Sequence, residues 1–305
     1  MANFYDDNDD MRFYVEHAID WAPLIDLTEF AHKAPDAFPT TQEALDFYRS
    51  VLEMVGKFAA EEVAPYAAEI DREHPALKNG EVVFPERLNA IIEHVKGLEL
   101  HGMSLPREFG GMNCPYLLVL LCTELFARGD VSVAAHIGFH GGMGLAALAF
   151  SVFEGSTEFD ADAGRILRTR FEEMVSDVIK GEAWGSMDIT EPGAGSDMAA
   201  LSTRGIQDEN GNWFLTGNKI FITSGHAKWH FVVARTEETK ADDAFAGLQG
   251  LSMFLVKAYE ENEAGERTHY AWFDKLEEKM GHHGSATVAV RFDKTPAQLI
   301  GKRGE

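Results

Sequence analysis

The residues best placed to do chemistry lie in one stretch, from Trp184 to Asp197, which reads Trp-Gly-Ser-Met-Asp-Ile-Thr-Glu-Pro-Gly-Ala-Gly-Ser-Asp. It begins as a short apolar run that suits a β-strand and then breaks into a turn rich in proline and glycine. Because Gly193 and Gly195 can adopt a positive φ, the turn can direct several backbone N–H groups at one ligand. Together with the hydroxyls of Thr190 and Ser196, it predicts a binding site for a ligand rich in hydrogen-bond acceptors.

A Gly-x-Gly turn after a strand also begins the dinucleotide-binding βαβ fold, but this turn matches that fold poorly. Neither a helix with a third glycine nor an alternating βαβ pattern follows Gly193-Ala194-Gly195. The sequence also has no Gly-x-Ser-x-Gly nucleophile motif. We therefore do not predict a Rossmann domain or a serine hydrolase.

Histidine pairs raise the question of a metal site. The pairs are His136 with His140, His226 with His230, and His282 with His283. The first pair has helical spacing but no third ligand nearby, so we interpret it as two buried packing residues. The second pair is predicted to lie in a turn and a strand, and the third in a loop. We assign no metal site.

The chain before the Trp184–Asp197 stretch is predicted to be helical. A capping box of Thr40 and Glu43 begins a long helix that ends near Ala64, before Pro65, or continues with a kink through Glu69. The other predicted helices cover residues 11–19, 85–95, 116–128, 131–153 and 163–180. Residues 131–153 carry no charge over a length that could span a bilayer, but their histidines and paired glycines favour a buried helix of the bundle. No membrane span is predicted.

After Gly181 the hydrophobic period changes to two, which indicates β-structure. The predicted strands cover residues 203–206, 213–216, 220–223, 231–234, 251–256, 270–273 and 287–292. Asn210-Gly211 predicts a type I′ hairpin turn between the first two. We therefore predict an α+β protein with an N-terminal extension (1–39), an all-α helical bundle (40–182) and a small β-barrel or sandwich (183–305).

Composition limits the possible partners. Lys and Arg number 27 against 50 Asp and Glu, for a net charge of −23. Such a field repels nucleic acids and anionic lipid surfaces, so neither is a predicted partner. The two cysteines fit a reducing compartment, and the acidic N-terminus is unlike a secretory signal. We expect a cytoplasmic location.

Three blocks of sequence in order resemble the acyl-CoA dehydrogenase family, from about Thr40 to the end of the chain. They are Thr190 to Asp197, Gly217-Asn218-Lys219-Ile220-Phe221-Ile222-Thr223-Ser224-Gly225, and Lys279-Met280-Gly281-His282-His283-Gly284-Ser285-Ala286-Thr287. The extra N-terminal residues 10–13 and the loop 109–112 look more like the longer-chain branch. The resemblance implies a helical N-terminal domain and a middle β-domain, with the family's C-terminal helical domain absent.

The resemblance also implies which residues bind a cofactor, FAD. The strand of Met187, Ile189 and Thr190 would lie along the flavin ring, with Thr190 bonding its pyrimidine edge. Thr223 and its neighbour Ile222 would contact the flavin near N5 through the Thr223 hydroxyl and the main chain. Two further residues complete the set. Phe221 stands where many relatives have a tryptophan against the ring, and Ser196 would reach both the FAD pyrophosphate and the CoA thioester ligand.

The implied reaction is α,β-dehydrogenation of an acyl-CoA thioester. In the family the catalytic glutamate belongs to the C-terminal helical domain, so we nominate no catalytic residue in this chain and expect little or no dehydrogenase activity from it alone. Glu191 is better explained by a structural role. Two alternatives stay open: a flavin-dependent oxidase or monooxygenase on the same scaffold, and a non-catalytic module that binds an acyl-CoA or a protein.

Partners follow from the same resemblance. An acyl-CoA substrate is expected, and the electron-transfer partner cannot be named from the sequence. If covering helices are absent, apolar faces are exposed, so we expect a homo-oligomer or larger association.

Overall fold

The computed structural model of the chain describes residues 2–237 and 247–304. Its first part is helical, with two short hairpins. The helices are α1 (Asp9–Phe13), α2 (Trp21–Thr28), α3 (Thr41–Phe58), α4 (Ala67–Arg72), α5 (Glu86–Gly97), α6 (Tyr116–Gly129), α7 (Val131–Phe153) and α8 (Glu172–Ile179). The hairpins are β1 (Ala76–Lys78) with β2 (Glu81–Val83), and β3 (Glu158–Asp160) with β4 (Arg165–Arg168).

The predicted start and kink of the long helix are confirmed. Thr40 caps α3 by accepting a hydrogen bond from the Glu43 backbone N–H, and its hydroxyl bonds the Glu43 carboxylate in return. After α3 the chain continues through one π-helical turn and one 3₁₀ turn around Pro65 into α4. A proline without an N–H accounts for this break in the helical ladder.

Helix α7 forms the middle of the bundle. Asp130 caps it by accepting from the backbone N–H groups of Ser132 and Val133. Among the described residues α7 is the one helix long and apolar enough to cross a membrane, and 56% of its most apolar window is buried inside the protein. The segment is thus a largely buried helix of the bundle, as predicted.

The second part is a β-barrel. Its strands are β5 (Gly185–Asp188), β6 (Arg204–Gln207), β7 (Trp213–Thr223), β8 (Trp229–Arg235), β9 (Leu251–Lys257), β10 (Tyr259–Glu261), β11 (Arg267–His269), β12 (Ala271–Leu276) and β13 (Thr287–Ile300). β13 pairs with β7, β7 with β6, β6 with β8, and β8 with β9, which pairs again with β13 and closes the sheet. Phe254, Val288 and Phe292 lie in its fully buried core.

Three sequence predictions are wrong. The strands predicted at 213–216 and 220–223 form one continuous strand, β7. Residues 163–180 do not form one helix, because 165–168 are strand β4 and only α8 is helical. Asp160 accepts from the N–H groups of Asp162 and Ala163, and Gly164 has φ +62°, so a turn forms there instead. The hairpin at 209–211 is not type I′, since only Gly211 has a positive φ. It is a type I turn followed by a left-handed glycine.

Candidate functional site

The end of β5 runs beside β7. Lys219 and Thr223 belong to β7, and the backbone N–H of Ile220 donates to the Thr190 carbonyl over 2.9 Å. Thr223 therefore lies three residues further along the neighbouring strand, about 10 Å from the level of Thr190. The structure brings together the two strand segments that the sequence predicts to face a flavin.

A β-bulge in β7 shapes this surface. Between Lys219 and Ile222 the strand has one residue more than β13 opposite it. Phe221 lies in the bulge with φ +59° and is 59% exposed, while Ile222 is buried in the barrel core. A left-handed aromatic residue is uncommon and costs conformational free energy. The bulge turns the Phe221 ring out of the barrel, where a planar ligand can contact it.

The predicted ligand-binding hydroxyls are free within the described chain. Those of Thr190, Thr223 and Ser196 make no hydrogen bond to any residue in 2–237 or 247–304. Both threonines are half-buried, and so are the neighbouring residues Met187 and Ile189. Ser196 is exposed. These groups can bond an external ligand without losing a protein partner.

Some backbone groups in the turn after Thr190 form hydrogen bonds with each other. Glu191 and Ala194 exchange two backbone hydrogen bonds of 3.0 Å, and Gly193 between them has φ +90°, as in a type II turn after Pro192. The N–H groups of Gly193, Gly195 and Ser196 donate to no acceptor in the described chain. These three N–H groups can therefore bond a ligand, and no atom of the described residues lies within 4 Å of a Cβ built on Gly195.

A buried ion pair lies directly beneath this turn. Lys219 Nζ donates over 2.8 Å to the Glu191 carboxylate, to the Ile189 carbonyl and to the Val233 carbonyl. Three acceptors require three N–H bonds, so Lys219 is protonated although its side chain is fully buried. The predicted structural role of Glu191 is confirmed. Lys219 lies in one of the three sequence blocks that resemble the family. No sequence pattern predicted that it pairs with Glu191.

Glu191 stays ionised because its other contacts also favour charge. Burial alone would raise the pKa of Glu191, but the Lys219 ammonium and the donors of Ser202 and Thr203 outweigh it and lower this pKa to about 2. The ion pair thus fixes the Ile189 carbonyl and the loop at 202–203 together. It holds the backbone that leads into Thr190.

A second buried polar group, the Trp184 cluster, joins the bundle to the barrel. It consists of Trp184, His136, His140 and His226, with ring centroids 4.4 to 5.1 Å from the indole. His136 and His140 are each 2% exposed, which confirms the interpretation as packing residues. Among the described residues no group of three or more His, Cys, Asp and Glu side chains is arranged to hold a metal.

The histidines of the Trp184 cluster are neutral. Burial lowers the pKa of His136 to about 4 and that of His226 to about 3, and it lowers the pKa of His140 well below the usual value. His136 Nε2 donates to the Gly284 carbonyl and His140 Nδ1 accepts from the Gly185 N–H. In the part of the chain that the structure describes, the remaining ring nitrogens, including both of His226, have no hydrogen-bond partner.

An apolar groove opens beside Thr223. Its volume is about 380 Å³, and it runs between α6 and α7. The lining residues are Tyr116, Leu120, Thr123, Ala127, Val131, Ala134, Ala135, Gly138, Phe139 and Thr223. The groove can accept an apolar chain whose polar end lies near the free hydroxyl of Thr223.

The groove offers no general base. None of the described residues that line it is a carboxylate. The fully buried carboxylates of the described chain are all held by basic side chains: Glu29 by Arg107, Asp188 by His230, and Glu191 by Lys219. The residues around Thr223 can therefore bind and orient a ligand, but they cannot take a proton from it.

Two models of one protein family match the chain. The model described as "Acyl-CoA dehydrogenase, N-terminal domain" matches residues 46–151, and "Acyl-CoA dehydrogenase, middle domain" matches residues 186–295. A 3-methylmercaptopropionyl-CoA dehydrogenase of Ruegeria pomeroyi is 29% identical over 301 residues, which are 96% of this chain and 46% of that protein. The chain spans about half the length of the curated relatives it matches.

Two solved structures support the fold. Caenorhabditis elegans ACDH-11, in complex with C11-CoA, superposes on 100% of this chain and 47% of its own, with TM-score 0.68 and 16% identity. An acyl-CoA dehydrogenase of Bacillus anthracis complexed with FAD covers 89% of this chain and 39% of its own, with TM-score 0.61 and 19% identity. At these identities the match concerns the helical domain and the barrel.

Proposed function

Because the chain belongs to the acyl-CoA dehydrogenase family, we propose that it binds FAD and an acyl-CoA and serves in the α,β-dehydrogenation of the acyl thioester. The observation that carries the proposal is the pair of unpartnered threonine hydroxyls, Thr190 and Thr223, on adjacent strand segments beside an apolar groove.

The residues around the two threonines fit a flavin. A planar ring system needs an apolar surface to lie on and polar groups at its edges. Phe221 supplies an exposed aromatic face, and the free hydroxyls of Thr190 and Thr223 lie along the same surface. The free N–H groups of Gly195 and Ser196 suit the acidic phosphates of a dinucleotide, as backbone donors in turns do.

The acyl chain is assigned to the groove between α6 and α7. Its lining is apolar apart from hydroxyls, and Thr223 contributes to its wall. A thioester held there would have its α and β carbons next to the surface assigned to the flavin.

The chemistry divides between cofactor and protein. Bound FAD would supply the acceptor for the hydride from the β-carbon, while a base removes the α-proton. The chain's own residues orient the two ligands: the apolar groove walls contact the acyl chain, and Lys219 with Glu191 fixes the backbone of Thr190. The β-bulge presents Phe221.

The base that removes the α-proton is assigned to another part of the protein. Because no carboxylate lines the groove, we assign proton abstraction to the C-terminal helical domain that the family resemblance implies. Residues 1–305 alone should then give little or no turnover. Steady oxidation of an acyl-CoA by this polypeptide with a dye acceptor would contradict the assignment.

The FAD proposal is tested by titrating the protein with FAD and following flavin fluorescence. Thr190→Val and Thr223→Val should each weaken FAD binding by about 3- to 10-fold, the usual value of one hydrogen bond. Thr268→Val is the matched control, because Thr268 is exposed on β11 and away from both strands. Equal FAD affinity in all four proteins would contradict the site, and peroxide formation instead of acceptor reduction would favour an oxidase.

A further inference from the structure

The strand that leads to Thr190 is short and lies at the end of the sheet. β5 pairs in parallel with β8 over four residues, and β8 is its neighbour in the strand order. A parallel ladder is slightly less stable per residue than an antiparallel one. Hydrogen bonds between side chains can therefore add much to the order of this strand.

Three buried side chains connect β5 to β8. Ser186 is the register partner of His230, and Asp188 lies two residues further along β5 on the same face. All three residues are fully buried. The Ser186 hydroxyl donates to Asp188 Oδ1 over 2.7 Å, and His230 Nδ1 lies 2.8 Å from both Ser186 Oγ and Asp188 Oδ2. We call these three residues the Asp188 network.

The contacts of His230 require a proton on each ring nitrogen. Nε2 faces the Ala227 carbonyl at 2.9 Å, and because a carbonyl can only accept, Nε2 carries a proton. Nδ1 faces the Asp188 carboxylate, and since two lone pairs at 2.8 Å would repel, a proton also lies between these two atoms. Imidazole is a stronger base than a carboxylate, so this proton belongs to His230. His230 is therefore an imidazolium and Asp188 a carboxylate.

The other contacts of Asp188 favour its charged form. The Ser186 hydroxyl donates to one carboxylate oxygen, and the Lys219 ammonium attracts the same group. In the described chain neither ring nitrogen of His226, four residues before His230, has a hydrogen-bond partner, and burial keeps that ring neutral. The Asp188 carboxylate accounts for the difference between the two histidines.

Thr190 lies between two buried ion pairs. Asp188, which His230 holds, precedes Thr190 by two residues, and Glu191, which Lys219 holds, follows it directly. The two cations belong to different strands, His230 to β8 and Lys219 to β7. The backbone on each side of the free Thr190 hydroxyl is thus tied to a buried charge in a neighbouring strand.

We propose that Asp188 and His230 are positioning residues for the flavin, because their ion pair fixes β5 and so holds the Thr190 hydroxyl where FAD binds. This inference rests on the proposed FAD function and adds two residues to it. Both are fully buried and neither lines the groove, so they act on FAD through the backbone of residues 188–190. Ser186 supports the pair by its hydrogen bonds and carries no charge.

The charge of His230 is tested by NMR of the protein with nitrogen-labelled histidine. At neutral pH both ring nitrogens of His230 should give the signals of protonated nitrogens, whereas His136, His140 and His226 should each show one unprotonated nitrogen. His230→Gln assigns the His230 signals by their loss. Asp188→Asn removes the counter-charge at nearly constant size, and His230 should then become neutral. A neutral His230 in the unmodified protein would overturn the inference.

The positioning role is tested by FAD titration followed by flavin fluorescence. Asp188→Asn and His230→Gln should each weaken FAD binding by about 3- to 10-fold. The double variant should bind FAD no more than about twofold more weakly than either single one, because the two residues act as a unit. Ser186→Ala leaves the ion pair in place, so it should keep His230 protonated and weaken FAD binding by less than about threefold.

A control variant separates positioning from loss of stability. Leu215 is fully buried in the barrel core on β7, so Leu215→Ala should lower the urea midpoint of unfolding but leave FAD affinity within about twofold. The positioning role would be refuted if Leu215→Ala weakened FAD binding as much as Asp188→Asn, or if Asp188→Asn left it unchanged. Failure of the unmodified protein to bind FAD would instead refute the proposed function, and the positioning role with it, whatever the charge of His230.

Discussion

Two groups of ionisable side chains that the protein buries, the Glu191–Lys219 pair and the Trp184 cluster, differ in charge. The Glu191–Lys219 pair carries two full charges, and each of its polar atoms has a partner within 2.7 to 3.2 Å. The Trp184 cluster carries no charge, and several of its nitrogens have no partner. Trp184 of the cluster and Glu191 of the pair each lie within a few residues of β5, the strand that leads to Thr190.

The difference shows what a buried ionisable group needs in order to stay charged. Lys219 is protonated because three acceptors surround it, two of them carbonyls of neighbouring strands. His226 packs against the Phe84 and Trp184 rings, which offer it neither a counter-charge nor an acceptor. Desolvation then favours the neutral form. Local hydrogen bonding, more than burial itself, decides which group is ionised.

The largest effect is expected from removing one member of the ion pair. Lys219→Met leaves the Glu191 carboxylate buried without its counter-charge, which should lower the free energy of unfolding by about 3 to 5 kcal/mol. Urea denaturation measures the loss. Replacing both members, Glu191→Gln with Lys219→Met, should restore part of the stability because no unpaired charge remains.

The control for that variant is an exposed pair. Lys275 pairs with Glu277 at 2.7 Å, but the lysine is 64% exposed. Lys275→Met should change the unfolding free energy by less than about 1 kcal/mol. A similar small change for Lys219→Met would show that the buried pair adds little to stability.

The two groups should lose their contributions to the free energy of unfolding at different pH values. His136 has a pKa of about 4 in the fold, against 6.5 when unfolded. Between these values the unfolded chain binds the proton and the folded one does not, so stability falls as the pH is lowered, by about 3 kcal/mol in all for this residue. Glu191, with a pKa of about 2 against 4.5, loses its contribution only below about pH 4.5.

Urea titrations at several pH values from about 7 to about 4.5 measure the histidine contribution alone. His226→Phe removes one titrating group and should make the slope shallower by up to about 1.4 kcal/mol per pH unit. Glu191→Gln should leave the slope in this range unchanged. If His226→Phe also left it unchanged, the low histidine pKa values would be refuted.

Short-range sequence signals predicted much of the fold. Signals that act within a few residues were sufficient: the Thr40–Glu43 capping box, the uncharged run of α7 and the change of hydrophobic period after Gly181. The number and spacing of the strands predicted a small barrel or sandwich, and the structure has the barrel. The family motif led to the strand at Thr190 and to Thr223, which the structure brings side by side.

Long-range contacts were beyond such reasoning. Helical periodicity suggested a helix at 163–180, but Glu108, distant in sequence, accepts from Ile166 and helps hold a strand there. Helix α2 was not predicted; Asp20 stands at its N-cap, but the Asp20 side chain makes no capping hydrogen bond there. The role of Lys219 depends on carbonyls 14 and 30 residues away. No local pattern encodes such partners.

The smallest effect should come from a residue that burial leaves unpaired. His226→Phe keeps an aromatic ring against Phe84 and Trp184 and removes two nitrogens that have no partner. At neutral pH we expect the free energy of unfolding to stay within about 1 kcal/mol of the original value, or to rise. His136→Phe is the matched comparison, because His136 Nε2 donates to the Gly284 carbonyl and its loss leaves that buried oxygen unpaired, at a cost of about 1 to 3 kcal/mol. Equal losses in the two variants, measured by urea denaturation, would mean that ring packing and not hydrogen bonding sets the contribution of the Trp184 cluster.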